Sequence, residues 1–237
     1  SLSGSPTVSI EINTSFVDPG VSAIDVYDGD ISTSVNVIGS VDTSLVGSTA
    51  IYYNISDSSG NPASQLVRTV QVVESTPPVI TLLGNSSLTI EVFSPYADAG
   101  ATALDNYDDD ITSLIELTGN VDHTTLGTYT LRYNVSDSSG NAATEVVRTV
   151  VVEDTTAPVI TLIGDASISL EVGDPFTDPG VTAVDNYDGP LTGAVTTAGS
   201  VDTSAAGTYL ITYNVSDAQG NAADQVVRTV VVGTPPS

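Results

Sequence analysis

Between positions 127 and 137 the chain reads GTYTLRYNVSD, in which Tyr129, Leu131, Tyr133 and Val135 alternate with Thr130, Arg132 and Asn134. A period of two marks a half-buried strand, with one set of side chains on a core and the other in water. Positions 207–217 repeat the pattern with Tyr209, Ile211, Tyr213 and Val215 inward. The following EVVRTVVV at 145–152 is β-branched and almost continuously apolar, which predicts a second strand. The SDSSGN between the two places a glycine where a hairpin turn needs a left-handed residue. No stretch carries a helical period.

Shifting the sequence by 80 residues realigns it with itself. Gly20, Gly100 and Gly180 coincide, as do Asn54, Asn134 and Asn214, then Asp57, Asp137 and Asp217, then Arg68, Arg148 and Arg228. The chain is three tandem repeats, divided at 1–76, 77–156 and 157–237. Proline-containing hinges mark the joins, ESTPPVI at 74–80 and EDTTAPVI at 153–160, and TPPS closes the chain at 234–237. Ser1 aligns with Thr81, so the first strand of repeat one is expected to be short or frayed, and the chain reads as an excerpt from a longer array. About seven short strands per repeat, with turn signals roughly every 8–12 residues, predict an all-β fold of three immunoglobulin-like β-sandwiches in an elongated array. Tyr129 and Tyr209 open the penultimate strand, where a tyrosine corner belongs, while repeat one has Thr49 there.

Composition adds a constraint on partners. The 237 residues carry 29 acidic side chains against four arginines and no lysine, a formal net charge of −25. That balance repels nucleic acid and anionic lipid and favours cations. A 40% hydrophobic content keeps the chain foldable. With no cysteine, neither a disulfide nor a thiolate metal site can form. No run approaches the ~20 apolar residues of a membrane span, and Ser1 opens no signal-like segment.

The runs AGATALDNYDDDIT and GNVDHTTLGTYTLRYNVSDSSGNAATEVVRTVVV resemble the immunoglobulin-like repeat family of bacterial surface and secreted proteins. They are similar, more distantly, to hyalin-type and cadherin-like repeats. The resemblance covers the whole chain three times. It implies an extracellular array module, found in adhesins or attached to secreted hydrolases.

Each repeat carries an acidic loop: Asp25-Val-Tyr-Asp28-Gly-Asp30, Asp105-Asn-Tyr-Asp108-Asp-Asp110 and Asp185-Asn-Tyr-Asp188-Gly-Pro190. Carboxylates this close repel one another unless a cation joins them, and Ca²⁺ takes six to eight oxygens at about 2.3–2.6 Å from such loops. The alternative is a solvated turn in which Asp caps local backbone groups. In an immunoglobulin-like sandwich the loop before the third strand and the one before the last lie at the end where the preceding linker arrives. Glu74 is therefore expected to meet Asp105, Asp108 and Asp110, and Glu153 or Asp154 to meet Asp185 and Asp188. Asp137 and Asp217, in the D-x-x-G-N turns, are candidate further ligands, although such residues more often bond their own backbone.

Other residues point away from catalysis. One histidine, His123, and no cysteine cannot build a nucleophile–base pair three times over. Arg68, Arg148 and Arg228 are expected to pair with carboxylates of their own repeats, and Tyr27, Tyr107 and Tyr187 to cover the top of each core or, alternatively, to stack on sugar rings. The expectation is a monomeric, non-catalytic, extracellular spacer whose partners are its own neighbouring repeats, rigidified by calcium. The alternative is a polysaccharide-binding accessory module of a secreted enzyme.

Overall fold

A computed structural model describes residues 1–233; the closing TPPS at 234–237 lies outside the described residues. Repeat one contributes β1 (Thr7–Glu11), β2 (Ile24–Asp25), β3 (Gly29–Asp30), β4 (Asn36–Ile38), β5 (Gly47–Asn54) and β6 (Leu66–Val73). Repeat two contributes β7 (Val79–Leu82), β8 (Ser87–Glu91), β9 (Ala101–Asp105), β10 (Asp109–Asp110), β11 (Glu116–Thr118), β12 (Gly127–Asn134) and β13 (Val146–Glu153). Repeat three contributes β14 (Val159–Leu162), β15 (Ser167–Leu170), β16 (Val181–Asp185), β17 (Gly189–Pro190), β18 (Thr196–Ala198), β19 (Gly207–Asn214) and β20 (Val226–Val232). The period-two segments are the long strands β12 and β19, and the β-branched segments are β13 and β20.

Two compact units emerge. One holds Ser1–Gly84, Ala99–Thr118 and Arg132–Val146; the other holds Asn85–Asp98, Gly119–Leu131 and the chain from Val147 onward. Repeat one lies in the first and repeat three in the second, while the strands of repeat two are shared between them. Strand order repeats three times, whereas compactness divides the chain in two.

Repeat three displays the sandwich plainly. One sheet runs β14-β16-β17 and the other β15-β20-β19-β18. Ile160, Val181 and Ala183 from the first are buried against Ile211, Tyr213 and Val215 of the second. These are the inward residues of the alternating pattern, and their burial drives the packing. Strand β15 pairs with β20 in parallel, Ser167 opposite Thr229 through Leu170 opposite Val232; β1 with β6 and β8 with β13 do the same. Tyr129 and Tyr209 form tyrosine corners, donating from the hydroxyl to Thr125 O at 2.8 Å and Ala205 O at 3.0 Å.

The repeated arginine is a buried cross-tie. In repeat three Arg228 Nη1 donates to Asp165 O at 2.8 Å, and Nη2 to Ile163 O at 2.8 Å and Gly180 O at 2.9 Å. Its Nε lies 3.2 Å from Asp178 Oδ1, and the hydroxyl of Tyr213 donates to Asp178 Oδ2 at 2.7 Å. Arg68 repeats the set with Ser5, Ser3, Gly20, Asp18 and Tyr53. Arg148 pairs with Asp98 and donates to Asn85 O. Each guanidinium holds its last strand to the segments flanking the next one, in a chain that has no cysteine to do so.

Repeat one differs at one edge. Only Leu2, bridged to Val21, stands where repeats two and three have β7 and β14.

Candidate metal centres

The end of β6, the end of β9 and the turn between β12 and β13 converge within the first unit. There Glu74, Asp105 and Asp137 each present a carboxylate oxygen, all within 4.8 Å of one another. The end of β13, the end of β16 and the turn between β19 and β20 do the same in the second unit, with Asp154, Asp185 and Asp217. Glu74, Asp137, Asp154, Asp185 and Asp217 are buried, and Asp105 is half-buried.

Local turns fix most of these oxygens. Asp105 Oδ1 accepts from the backbone N–H groups of Tyr107 at 2.8 Å and Asp108 at 2.9 Å, and Asp185 Oδ1 accepts from Tyr187 and Asp188 at the same distances. Asp137 accepts from Asn141 N at 2.7 Å and Nδ2 at 2.8 Å; Asp217 accepts from Asn221 N and Nδ2, both at 2.7 Å. Glu74 accepts from Thr76 N and Asn141 Nδ2, each at 2.6 Å, whereas Asn221 Nδ2 reaches the Asp154 backbone carbonyl at 3.0 Å instead of its carboxylate. Among the described residues two buried side-chain oxygens have no hydrogen-bond partner, Asp105 Oδ2 and Asp185 Oδ2, and each belongs to one of these clusters. A buried acceptor left unmade is costly, and here it faces like charge.

The electrostatics record that strain. Burial pushes the Glu74 carboxyl above its usual range, and the neighbouring Asp137 and Asp105 charges push it the same way. Burial does the same for Asp154, with Asp185, Asp217 and Glu91 adding repulsion. Burial also opposes ionisation of Asp137 and Asp217, but hydrogen bonds from Asn141 and Asn221 outweigh it and hold both below the usual range. The arginines are engaged elsewhere, Arg68 with Asp18, Arg132 with Glu145, Arg148 with Asp98 and Arg228 with Asp178.

The remaining expected ligands take other positions. Asp108 accepts from Ser138 N at 2.6 Å and Oγ at 2.8 Å, so it ties the acidic loop to the turn that carries Asp137. Asp28 binds Ser58 likewise, and Asp188 accepts from Ala218 N at 2.7 Å. With its amide nitrogen turned to donate, Gln219 spans Asp154 Oδ2 and Asp188 Oδ2 at 3.2 Å each. Asp110 and Asp30 cap the short turns that follow them, through Thr112 N and Ser32 N, both at 2.9 Å. Pro190 therefore removes a turn cap from repeat three. Of the adjacent pair, Asp154 enters the cluster, whereas Glu153 is exposed at the end of β13, its carbonyl accepting from Val92 N at 2.7 Å. Asp25 and Asp57 repeat the turn bonds of their counterparts, with Tyr27 N at 2.8 Å and Asn61 N at 2.8 Å. Among the described residues no third carboxylate joins them. Asp137 and Asp217 make the turn bonds expected of them, and the same side chains also complete the clusters. The shared D-x-x-G-N spacing was the available signal.

The loop tyrosines differ by repeat. Tyr187 packs against Phe93 at 6.0 Å between ring centroids. Tyr107 is exposed, and Tyr27 is 95% exposed, so it covers no core. Beside Phe93, Glu91 accepts from Thr155 N at 2.8 Å and Thr156 Oγ1 at 2.8 Å. Burial opposes its ionisation, but hydrogen bonds from Thr155, Thr156 and Asn186 prevail and bring its pKa down to about 2.

Known proteins resemble this chain in sequence. Hyalin of Lytechinus variegatus is 34% identical over 202 residues, which covers 80% of this chain and 37% of hyalin. Hyalin of Strongylocentrotus purpuratus is 30% identical over 223 residues, 86% of this chain and 18% of that protein. The chain thus spans well under half the length of these curated relatives. Among solved structures, Sidekick-1 immunoglobulin domains 1-4 align over 96% of this chain and 74% of that one, with 11% identity and a TM-score of 0.31. The family described as "Bacterial surface protein, Ig-like domain" matches residues 1–72, 80–152 and 160–232, one match to each repeat, and the chain belongs to that family.

Proposed function

We propose that these repeats are an extracellular spacer in which Glu74, Asp105 and Asp137, and again Asp154, Asp185 and Asp217, each hold a calcium ion at the linker between successive repeats. The single observation that carries the reading is the pair of buried, partnerless oxygens, Asp105 Oδ2 and Asp185 Oδ2, each aimed among two further carboxylates. A bound divalent cation supplies the positive charge that such a group of oxygens lacks. The chain's own residues do the rest. Asn141 and Asn221 orient the turn carboxylates, the backbone of each acidic loop fixes Asp105 and Asp185, and Glu74 and Asp154 tether the linker. Pro78 and Pro158, both buried just beyond, restrict the hinge and reduce the entropy lost on ordering it.

Extracellular modules bind calcium with dissociation constants on the order of 10⁻⁴–10⁻³ M. At a hundredfold excess one site adds about 2.7 kcal/mol to stability. Isothermal titration of calcium into the chain, with thermal melts in calcium and in chelator, tests the reading. Two binding events, lost one at a time in Asp105→Asn and Asp185→Asn, are expected; no heat and no change in melting temperature would remove it. The accessory-module alternative rests on the exposed Tyr27, and retention on polysaccharide that Tyr27→Ala abolishes would favour it.

A further inference from the structure

The two carboxylate clusters have the same plan and different hydrogen bonding. In the first, Glu74 Oε1 accepts from Thr76 N and Oε2 from Asn141 Nδ2, each at 2.6 Å, so short bonds hold both oxygens of the linker acid. The same Asn141 amide also serves Asp137 Oδ2 at 2.8 Å, which sets a donor among the carboxylates. In the second, Asp154 Oδ1 accepts from Thr156 N at 3.2 Å, and Asn221 Nδ2 goes to the backbone carbonyl of Asp154. The linker acid of the second cluster is the less satisfied of the two, and the charge of Glu91 acts on it as well. Asp185, whose Oδ2 has no partner, is 4% exposed, whereas its counterpart Asp105 is half-buried.

Two differences in the D-x-x-G-N turn widen the gap. Ser138 follows Asp137 in repeat two and donates to Asp108 from N and from Oγ, one hydrogen bond to each carboxylate oxygen. Ala218 holds that place in repeat three and gives only its N–H, to Asp188 Oδ2, so Asp188 Oδ1 has no hydroxyl to accept from. Gln219 then stands where repeat two has Ser139, and its amide end lies 3.2 Å from both Asp154 Oδ2 and Asp188 Oδ2. Such an amide has two faces. Its nitrogen donates to carboxylates, and turned over, its oxygen joins them as a neutral ligand of the kind Ca²⁺ accepts. A serine offers no such exchange.

We infer that the two centres differ in affinity and fill in order, the centre of Asp154, Asp185 and Asp217 first, with Asp188 and Gln219 as its additional oxygen ligands. The inference rests on the calcium function proposed above. Affinity rises with the number and charge of the oxygens offered and falls with what must be given up to bind. The second centre gives up long bonds and gains two oxygens, while the first must surrender the Asn141 amide from Glu74. At calcium concentrations between the two constants the linker at 153–160 is tied and that at 74–80 is not, so the linkers stiffen in two stages.

Calorimetric titration of calcium into full chains that keep one centre each tests this. Asp105→Asn leaves the second centre and Asp185→Asn the first, so each variant reports one dissociation constant. The second centre is expected to bind at least about tenfold more tightly, the equivalent of one hydrogen bond to a charged group. Exchanging the turn residues should move the constants. Ala218→Ser with Gln219→Ser, made in the Asp105→Asn chain, should weaken the second centre about tenfold, and Ser138→Ala with Ser139→Gln, made in the Asp185→Asn chain, should tighten the first. All four positions are exposed, so the exchanges are compatible with the fold, and melts in chelator check it. Asp188→Asn should weaken the second centre as well, whereas Asp108→Asn should leave the affinity of the first almost unchanged, because both Asp108 oxygens are already bonded to Ser138. Constants within about twofold of each other, a first centre tighter than the second, or constants that ignore both the turn exchanges and Asp188→Asn overturn the inference and leave the calcium function standing. Absence of calcium heat from the unsubstituted chain removes both.

Discussion

The acidic loop of repeat one and those of repeats two and three have almost the same sequence and different surroundings. Asp25 and Asp185 make the same turn bonds to the two following backbone N–H groups. Yet Asp185 is buried with a partnerless oxygen beside Asp154 and Asp217, whereas Asp25 is half-buried without a third carboxylate. All three repeats therefore share the loop, whereas among the described residues a cluster of three carboxylates forms in two places. What completes it is the linker: Glu74 and Asp154 stand one repeat-length apart, and each meets the acidic loop of the repeat that follows it.

The largest effect expected separates what the repeats share from what they do not. Arg68→Met and Arg228→Met should each cost about 3–5 kcal/mol in denaturant unfolding, since each removes a buried guanidinium that satisfies a half-buried carboxylate and three backbone carbonyls. The two costs should match, because the partners match; a much smaller cost at Arg68 would mean that repeat one is packed more loosely than repeat three. Next comes Asp185→Asn, which should abolish about 2.7 kcal/mol of stabilisation measured at a hundredfold excess of calcium. In chelator the same variant should be neutral or stabilising, because it removes one of three mutually repelling charges. Asp25→Asn should change neither melt, and a calcium-dependent loss there would break the comparison.

A third test concerns the tie between β8 and the linker. Glu91→Gln should cost about 1 kcal/mol at pH 7, the worth of its hydrogen bonds at a partly exposed position. The folded pKa of Glu91 is depressed to about 2 from the usual 4.5. Its contribution is thus full above 4.5 and lost as pH falls toward 2. Melts of wild type and variant should converge over that interval; a difference that persisted below it would assign the cost to packing. The smallest effect is that of Phe93→Asn, which installs the residue found at position 13 of repeat one. Loss of the ring pair with Tyr187 should cost about 0.5–1.5 kcal/mol in thermal unfolding.

Much of this was legible in the sequence because local chemistry enforces it. The period of two in Tyr209 to Val215 requires a strand with one buried face, and the 80-residue shift requires the same solution three times. The acidic loops were visible for the same reason, as were the linker acids. The choice among acids was not. Asp108 and Asp105 are three residues apart and chemically identical, but only a fold that brings the turn at 136–141 alongside sends Asp108 to Ser138 and leaves Asp105 facing Asp137. Glu153 and Asp154 are adjacent, and the strand's alternation of faces puts one at the surface and the other in the cluster.

The sequence by itself determined the repeat, its strands, its turns and an acidic end to each unit, because these follow from spacing and side-chain type over a few residues. Only the tertiary structure decided the parallel pairing of β15 with β20, the burial of the arginines as cross-ties, and which three carboxylates meet. Those outcomes depend on residues from about 30 to 65 positions apart, and such distances are fixed by how the sheets close over a shared core rather than by any local pattern.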